Sequence, residues 1–381
     1  MHSSRDKMPN ILFISGKNFL NSAKGAEIRI LELVKGLVRG NRVIAVNFDD
    51  GKRAGNPADQ LVELGVTLVN IRIQHPAQKL FWPGVYLDCL RVLRKQKVDA
   101  IICSHVWSVP CALALAGMSG LPLFFDDHNV EHDLLRQQGQ RVASALVKWM
   151  ESSALRRATL TFAVSEADRV LLAPWARAIE VLPNGTSLPP PDVEVRPQCP
   201  VVLFFGSLGY EPNREAVRII TERIAPAVAS RIPEVEFRIV GRPAPNIRVP
   251  NVTVVGFVER IEDELDRAVL TIVPLLHGSG TRIKIMDSLA RHRPVVSTPK
   301  GAEGIAGFES LKIVSLDRFP DTIVETLRRW QDGEPLFVDR DRQEILRHSW
   351  ADIADRLSSV VLREIDWKRD MADALKVPRI A

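Results

Sequence analysis

The sequence predicts an α/β protein built from two doubly wound halves, each with a parallel sheet covered by helices on both faces. From residue 10 onward, short apolar strands alternate with amphipathic helices, which is typical of βα units. A proline-rich stretch at 185–200 breaks this alternation, and a second series of elements starts at Val201. The length of 381 residues also exceeds that of one ordinary domain. Because ligands bind beyond the carboxyl ends of such strands, we expect the two halves to face a cleft.

The individual elements follow from local hydrophobic patterning. A helix is predicted at 26–38, where Ile28, Leu31 and Val34 share one face. Further helices are predicted at 108–118, 214–231 and 349–364. The predicted strands are short apolar runs at 10–15, 42–48, 66–73, 100–104, 121–127, 160–165 and 179–183, then at 201–206, 236–241, 252–257, 270–275, 294–298 and 311–316. We therefore predict domains at 1–184 and 201–348, an extended linker at 185–200, and a C-terminal helical segment at 349–381.

One segment has the length of a membrane span. Between Asp99 and Asp126 the chain contains no Asp, Glu, Lys or Arg, and this stretch is long enough to cross a bilayer. Pro110, Gly117 and Pro122 interrupt it, however. A strand, a helix, a turn and a second strand explain the segment better, because buried parallel strands are apolar throughout.

The composition is that of an ordinary globular protein, 46% hydrophobic and 25% charged. The net charge of +5 and the pI near 9.1 suit anionic ligands or an anionic membrane surface. No clustered basic and aromatic stripe favours nucleic acid as a partner. The four cysteines show no C-x-x-C spacing, and residues 1–10 lack the apolar core of a signal peptide. We therefore expect a cytoplasmic protein with reduced thiols.

The stretch 277–303 carries the clearest chemical signal. A strand ends there in a glycine-flanked turn, and a helix begins near Thr281. The free amides of a helix N-terminus carry partial positive charge and bind phosphate, and Arg282 and Lys284 add full charges. Asp287 follows Lys284 by three positions and so shares its helix face. This combination suits a nucleotide-sugar, and the alternative interpretation is a surface turn with solvated charges.

These residues resemble a known family. The run from Gly278 to Asp287, together with Phe205-Gly206-Ser207, His128-Asn129-Val130-Glu131 and Pro183-Asn184-Gly185, resembles retaining GT-B glycosyltransferases of family four, the group 1 glycosyl transferases. The resemblance covers nearly the whole chain. It implies two Rossmann-like domains facing a cleft, with a nucleoside-diphosphate sugar held by the C-terminal domain and the acceptor by the N-terminal domain. It also implies that the final helix returns to the N-terminal domain, and that no metal or other cofactor is required.

The resemblance assigns roles to individual positions. His128, Arg282 and Lys284 take the catalytic positions, with the two cations on the diphosphate. Asp287 stands where a glutamate hydrogen-bonds the ribose. Ser279 replaces a second glutamate that contacts the donor sugar, and Ser207 replaces a common arginine, so both positions depart from the family. The predicted donor-binding residues are Gly206, Ser207, Arg214, Phe257, Val258, Gly278, Ser279, Gly280, Thr281, Asp287 and Glu303.

Some of these assignments carry alternatives. The family's phosphate-binding lysine aligns with Asn213 or Arg214, of which we assign Arg214. Phe257 and Val258 lie where backbone groups often meet the base. Glu303 lies near the donor sugar, or else it is a solvated loop carboxylate. The predicted acceptor-binding residues are Lys24, Gly25 and Glu27, in a loop that keeps one of the family's paired glycines.

His128 also begins a second pattern, H-x-x-E-H, with Glu131 and His132. This is the inverted zinc-peptidase motif, which needs both histidines on one face of a stable helix. Here the pattern directly follows a strand, and Asn129 and Asp133 suit a cap better than a helix interior. We therefore prefer the glycosyltransferase role for His128 and predict no metal site.

The predicted function is transfer of a sugar to an acceptor hydroxyl, with retention, in polysaccharide, glycolipid or other glycoconjugate biosynthesis. A nucleotide-sugar 2-epimerase shares the two-domain plan, and a catalytically weak nucleotide-binding partner of a polysaccharide assembly complex would suit Ser279 and Ser207. The acceptor is expected to be a sugar, a lipid-linked glycan or a small molecule. The basic, tryptophan-bearing stretch 141–157 suits peripheral contact with an anionic membrane, although an ordinary amphipathic helix packed on the core is the simpler interpretation.

Overall fold

The computed structural model describes residues 8–21, 25–51, 57–74, 78, 83–193, 195–278 and 282–374. The chain forms two compact units, the first from residues 1–183 and 350–381 and the second from residues 184–349. The segment 185–200, predicted as a linker, belongs to the second unit. There Arg291 Nη1 donates to the carbonyl of Pro189 and Arg293 Nη2 to that of Val195, both at 2.9 Å. These contacts anchor the segment.

The first unit contains a seven-stranded parallel sheet. Its strands are β1 (Asn10–Ser15), β2 (Arg42–Asp49), β3 (Thr67–Arg72), β4 (Ala100–Ser104), β5 (Leu123–Asp127), β6 (Leu160–Ala163) and β7 (Ile179–Val181). They lie in the order β3-β2-β1-β4-β5-β6-β7, and Phe13 of β1 pairs with Ala45 on one side and Ile102 on the other. The central strands β4 and β5 are entirely buried, because helices cover both faces of the sheet.

Seven described helices connect the strands of the first unit and cover its sheet. They are α1 (Gly25–Leu37), α2 (Pro57–Glu63), α3 (Pro83–Lys95), α4 (Val109–Ser119), α5 (Glu131–Gln137), α6 (Arg141–Arg157) and α7 (Glu166–Leu172). The uncharged stretch 99–126 forms β4, α4 and most of β5, as the prolines and glycines predicted. Within the described ranges, no helix combines the length and apolar character needed to cross a bilayer.

The C-terminal helix α14 (Trp350–Ala374) is part of the first unit and packs against α1. Gly36 lies at the crossing, where a Cβ added to it would overlap the Cβ of Ala354. Asn41 Nδ2 also donates to Ser358 Oγ at 2.8 Å. Helix α1 is therefore buried on one side by the sheet and on the other by α14, which explains why its apolar residues extend beyond a single narrow stripe.

The second unit contains a six-stranded parallel sheet in the order β10-β9-β8-β11-β12-β13. Its strands are β8 (Val201–Phe205), β9 (Glu236–Val240), β10 (Val252–Gly256), β11 (Leu270–Val273), β12 (Val295–Ser297) and β13 (Leu311–Ile313). Its described helices are α8 (Glu211–Ile219), α9 (Ala225–Ala229), α10 (Ile261–Arg267), α11 (Ile283–Ala290), α12 (Phe319–Gln331) and α13 (Asp339–Leu346).

The helix predicted at 214–231 differs in form from the expectation. It is interrupted by a π-helical turn, Ile220–Ile224, between α8 and α9. Pro226 follows that turn, and its nitrogen carries no hydrogen that could bond to a carbonyl of the preceding turn. The wider turn accommodates this missing donor, while Val217, Ile220 and Ile224 stay in the core.

Candidate functional site

In each sheet the strand order reverses at one point, after which successive strands are added on the other side of the first strand. Ligands of open α/β sheets bind at such points. In the second unit this point lies between β8 and β11. Gly206 directly follows β8, and Gly278 ends the described part of the loop after β11. The predicted phosphate-binding residues therefore lie at the edge of the sheet where a ligand is expected.

Lys284, in the first turn of α11, reaches Gly206. Its Nζ donates to Asn213 Oδ1 at 2.9 Å and lies 4.4 Å from the centroid of the Phe204 ring. Asn213 Nδ2 in turn donates to the carbonyl of Ser207 at 2.8 Å, which orients the amide. Gly206 has φ +149°, and a Cβ there would come within 2.9 Å of Lys284 Nζ. Only glycine combines this backbone conformation with such an approach.

The pKa of Lys284 is lower than that of an ordinary lysine. Burial and, to a smaller extent, the positive charge of Arg282 together lower its pKa to about 7. A bound diphosphate would reverse both effects, because it supplies opposite charge beside the ammonium group. A bound anion would therefore shift Lys284 toward its charged form.

Arg282 immediately precedes α11 and is buried. A Cβ added to Gly278 would lie 3.1 Å from Arg282 Nη2 and 2.8 Å from the hydroxyl of Tyr210. Burial lowers the pKa of Arg282, while the charges of Tyr210 and Glu303 oppose that shift. The two cations thus each lie against a glycine, one at the end of β8 and one in the loop after β11.

Asp287 lies one turn further along α11. Its Oδ1 accepts a hydrogen bond from Thr186 Oγ1 at 2.7 Å. Burial raises the pKa of Asp287 to about 7, although the hydrogen bond from Thr186 opposes this shift. The carboxylate keeps a second oxygen with which it could accept a hydroxyl.

Two further features lie at the carboxyl edge of β9 and β10. Gly241 follows β9, and a Cβ there would overlap the carbonyl oxygen of Gly206. The guanidinium carbon of Arg242 lies 3.6 Å from the centroid of the Phe257 ring, which is largely exposed. Val258 packs against the core beside it. A flat, cationic surface therefore stands next to the predicted position of the base.

The remaining predicted donor residues are placed as follows. Arg214 is exposed and donates to the carbonyl of Gly209 at 3.4 Å, whereas Asn213 is the neighbour that contacts Lys284. Ser207 is exposed. Glu303 pairs with Lys300 at 2.6 Å on the surface. Four predicted site residues, Lys24, Ser279, Gly280 and Thr281, lie outside the described residues.

In the first unit, a buried ion pair lies at the carboxyl edge of the sheet. Arg29 of α1 donates to Asp126 of β5, with Nη2 at 2.6 Å from Oδ1, and also donates to the carbonyls of Leu182 and Pro183 at 3.0 Å. Burial alone would raise the pKa of Asp126, but the charge of Arg29 and the hydrogen bonds from His128 and Arg29 hold it well below its usual range. Asp126 is therefore a carboxylate at neutral pH.

This carboxylate orients His128, which follows β5 and is only 5% exposed. His128 Nε2 lies 2.9 Å from Asp126 Oδ2 and 2.8 Å from Ser104 Oγ, and Ser104 itself donates to Asp126. Burial lowers the pKa of His128 despite the charge of Asp126, so the ring is neutral and Nε2 carries the proton. Nδ1 is then an acceptor, and it is buried with no hydrogen-bond partner among the described residues.

The structure separates the two histidines of the H-x-x-E-H pattern. His128 precedes α5 and bonds Asp126, whereas His132 lies within α5 and bonds Glu151 through Nδ1. Burial raises the pKa of Glu131, the residue between them. Asp133 lies inside α5 rather than at its cap, contrary to the expectation. Among the described residues no group of three His, Cys, Asp or Glu side chains is arranged to hold a metal.

Of the predicted acceptor residues, Gly25 and Glu27 lie in the first turn of α1. Gly25 is exposed, and Glu27 is buried in the first turn. Sequence reasoning did not assign Thr186, Tyr210, Arg29 or Asp126. Thr186 directly follows the Asn184-Gly185 pair of the family motif, and Arg29 and Asp126 are charged residues within apolar runs. Each of these three residues could therefore have been noticed in the sequence. Tyr210 has no such feature.

Two family models match the chain. The model described as glycosyl transferases group 1 matches residues 199–330, and the glycosyl transferase 4-like domain model matches residues 24–185. The first match contains Gly206 and Lys284, and the second contains Arg29 and His128. No curated protein matches the sequence significantly.

Solved structures share the fold at low identity. Sucrose-phosphate synthase from Thermosynechococcus elongatus is 17% identical with a TM-score of 0.72, covering 94% of this chain and 100% of that one. Anabaena HepE in complex with UDP is 14% identical with a TM-score of 0.69, covering 93% and 100%. The lipopolysaccharide outer core galactosyltransferase WaaB is 14% identical with a TM-score of 0.64, covering 93% and 99%. The chain is therefore a group 1 glycosyltransferase with the GT-B fold, resembling the enzymes of glycosyltransferase family four.

Proposed function

We propose that this glycosyltransferase moves a sugar from a nucleoside diphosphate to an acceptor hydroxyl, and that the second unit binds the donor. The observation that carries the proposal is the pair of cations, Lys284 and Arg282, each lying against a glycine at the point where the sheet order reverses. Glycine leaves room for phosphate oxygens, and the first amides of α11 add further donors. Asp287 would accept the ribose hydroxyls.

The same groups would promote the chemistry. When the bond from the anomeric carbon to the diphosphate breaks, negative charge grows on the leaving phosphate. Positive groups that are already in place stabilise that charge without reorganisation. Arg282 is buried and Lys284 is held by its hydrogen bond to Asn213, so both need little reorganisation. They would supply the charge that other transferases obtain from a metal, which is why we propose a metal-independent reaction.

Retention of configuration is proposed from the resemblance to family four. In a front-face reaction, the departing phosphate oxygen takes the proton of the acceptor hydroxyl as the new glycosidic bond forms. This route needs no dedicated pair of carboxylates. His128, whose Nδ1 is an acceptor, would orient a ligand hydroxyl.

Uridine is the first base to test. HepE, a structural neighbour, is described in complex with UDP and with UDP-glucose. In this chain the backbone at Phe257 and Val258 would contact the base. The acceptor, which we place on the first unit near Gly25 and Glu27, is proposed to be a sugar, a lipid-linked glycan or a small molecule of glycoconjugate biosynthesis.

A melting screen with UDP, GDP, ADP, TDP and their sugars tests donor binding. Saturation at about a hundred times the dissociation constant stabilises the folded state by about 2.7 kcal/mol. Turnover is then measured with the stabilising donor across an acceptor panel. Lys284→Ala and Arg282→Ala should each lower kcat by about 10²- to 10³-fold, the effect of removing one such donor elsewhere. Lys312→Ala, on the exposed part of β13, is the matched control and should leave kcat unchanged.

Three results would contradict the proposal. Near-normal turnover of either cation variant would remove the assigned role. An epimerised donor formed without any acceptor would identify a nucleotide-sugar epimerase. Stabilisation by a nucleotide with no turnover on any acceptor would indicate a nucleotide-binding partner of an assembly complex.

A further inference from the structure

Helix α6 presents an apolar strip to solvent. Its inner face is buried in the core, with Val147 and Met150 almost fully covered. On the opposite face, Val142, Leu146 and Trp149 are 87%, 40% and 65% exposed. Spacings of four and three residues place these side chains on one side of the helix. A helix that only covers the core would carry polar residues there, so this strip needs a separate explanation.

Burial also separates the charges of α6 by sign. Glu151, the acidic residue of this helix, is buried and bonded to His132. Along the fully described span 141–157, the exposed charged side chains are all basic: Arg141, Lys148, Arg156 and Arg157. Arg141 and Lys148 are seven residues apart and therefore line the same edge of the apolar strip. The solvent face of α6 is thus apolar and cationic.

The surroundings of this face do not cancel its charge. Residues 138–140, which precede α6, are exposed and uncharged. On α5, Arg136 pairs with Asp133 at 2.6 Å, which leaves that pair neutral. Lys148 Nζ lies 5.3 Å from the ring centroid of Trp175, so a second tryptophan stands beside the basic edge.

We propose that this surface, the α6 docking surface of Arg141, Val142, Leu146, Lys148 and Trp149, binds the interface of an anionic lipid bilayer. Apolar and tryptophan side chains enter the headgroup boundary, while lysine and arginine attract anionic lipids. The net charge of +5 has the same sign. The binding is shallow and reversible, and it does not depend on the donor site assigned above.

The dimensions of the surface favour a bilayer over an acidic protein partner. The apolar strip extends along about 10 Å of helix. Stable protein interfaces take about 20 to 30 residues from each side and need complementary shape, whereas a fluid bilayer adapts to a short strip. A narrow apolar strip with a basic edge is therefore sufficient to bind a membrane surface, but it is smaller than a stable protein interface.

Vesicle co-sedimentation of the full chain tests the proposal. The protein should bind vesicles of phosphatidylcholine mixed with phosphatidylglycerol, bind phosphatidylcholine alone weakly, and lose binding as salt screens the charges. Arg141→Glu with Lys148→Glu should weaken binding by roughly tenfold or more, since each basic residue near the surface contributes. Val142→Ser, Leu146→Ser and Trp149→Ser combined should weaken it by a similar factor.

Matched controls are available in the same chain. Trp367 is 55% exposed on α14 and lies outside the α6 docking surface, so Trp367→Ser should keep vesicle binding. Lys312→Glu on the second unit should keep it too. All substituted side chains are exposed, so far-UV circular dichroism and melting should match the parent protein. Donor binding should be unchanged in every variant, which separates this proposal from the proposed function.

The outcomes that overturn the proposal are distinct. Equal binding to neutral and anionic vesicles, or no binding to either, would exclude an anionic bilayer as the partner. Full binding by both α6 variants would place the membrane contact elsewhere on the chain. Binding to soluble polyglutamate as tight as binding to anionic vesicles would assign the surface to an acidic macromolecule instead.

Discussion

At the scale of single residues, burial changes the charge of groups that meet the ligand. Lys284 and Asp287 lie on the same helix, and burial moves the pKa of each to about 7, from above for the lysine and from below for the aspartate. Each group therefore titrates near neutral pH before a ligand binds. A diphosphate favours the charged form of the lysine, so binding and protonation are coupled.

This coupling predicts proton uptake on donor binding. The pKa of Lys284 is about 7 in the free protein and rises when the diphosphate binds, so the contribution of Lys284 to affinity is constant below that pH and falls above it. The decrease should approach about tenfold per pH unit. Calorimetry in two buffers of different ionisation enthalpy, about one unit above that pKa, measures the proton taken up. Lys284→Met should abolish the uptake, while Asp287→Asn should retain it; uptake by Lys284→Met would refute the assignment.

His128 allows a second measurement at this scale. Because Asp126 is ionised and accepts from Nε2, the neutral ring should carry its proton on Nε2 rather than on Nδ1. Long-range ¹H–¹⁵N correlation spectra of histidine-labelled protein distinguish the two tautomers. His128→Gln assigns the signal by its disappearance. A proton on Nδ1, or a ring that is charged at neutral pH, would contradict this arrangement of Arg29, Asp126 and His128.

At the scale of elements, helices α1 and α14 can approach closely because a glycine lies where they cross. Gly36 in α1 lies against Ala354 in α14, and Asn41 bonds Ser358 further along. Elsewhere in a helix, replacing glycine with alanine stabilises by about 1 kcal/mol. Here the added Cβ would overlap that of Ala354, so the sign of the effect should reverse.

Gly36→Ala should therefore destabilise the protein by about 1 to 3 kcal/mol, as overpacking does in other cores. Ala354→Gly in the same chain should restore most of that loss, because the contact with residue 354 would then be to its Cα at 3.6 Å, and the nearer Arg39 Nη2 at 3.3 Å is the end of a flexible side chain. Denaturant unfolding of the two single variants and the double variant gives the coupling free energy. An additive cycle would show that α1 and α14 do not approach this closely.

At the scale of the whole molecule, the two units differ in continuity. The second unit is one uninterrupted segment, whereas the first needs residues from both ends of the chain. Helix α14 contributes Ile353, Leu357, Val361 and Ile365 to the first unit, all buried. The first unit therefore depends on a segment that follows the second unit along the chain.

Ending the chain at Ser349 should selectively destabilise the first unit. Removal of these four buried side chains, together with buried Trp350 and Ala354 and the cover of α1, should cost about 5 kcal/mol or more. Differential scanning calorimetry should show an early transition for the first unit, and a later transition that still shifts upward with the donor nucleotide. Loss of nucleotide-dependent stabilisation in this variant would show that the second unit does not fold independently.

Much of the fold was predictable from local pattern. Strands such as Ala100–Ser104 and Val201–Phe205 are uniformly apolar, and this reflects burial on both faces of a parallel sheet. The bounds were less accurate: the helix predicted at 349–364 continues to Ala374, and the one predicted at 214–231 contains a π-helical turn. Helix ends and interruptions depend on which neighbour covers the exposed turns, and local pattern does not contain that information.

For the site, the sequence by itself determined the groups that are close along the chain. Arg282, Lys284 and Asp287 follow a glycine-flanked turn, so helix geometry alone places them together. Only the tertiary structure decided their distant partners, since Lys284 meets Asn213 across 71 residues and Arg29 meets Asp126 across 97. The physical reason is that sheet order brings the carboxyl ends of separate strands to one edge, whereas the packing of each helix determines which side chains meet there.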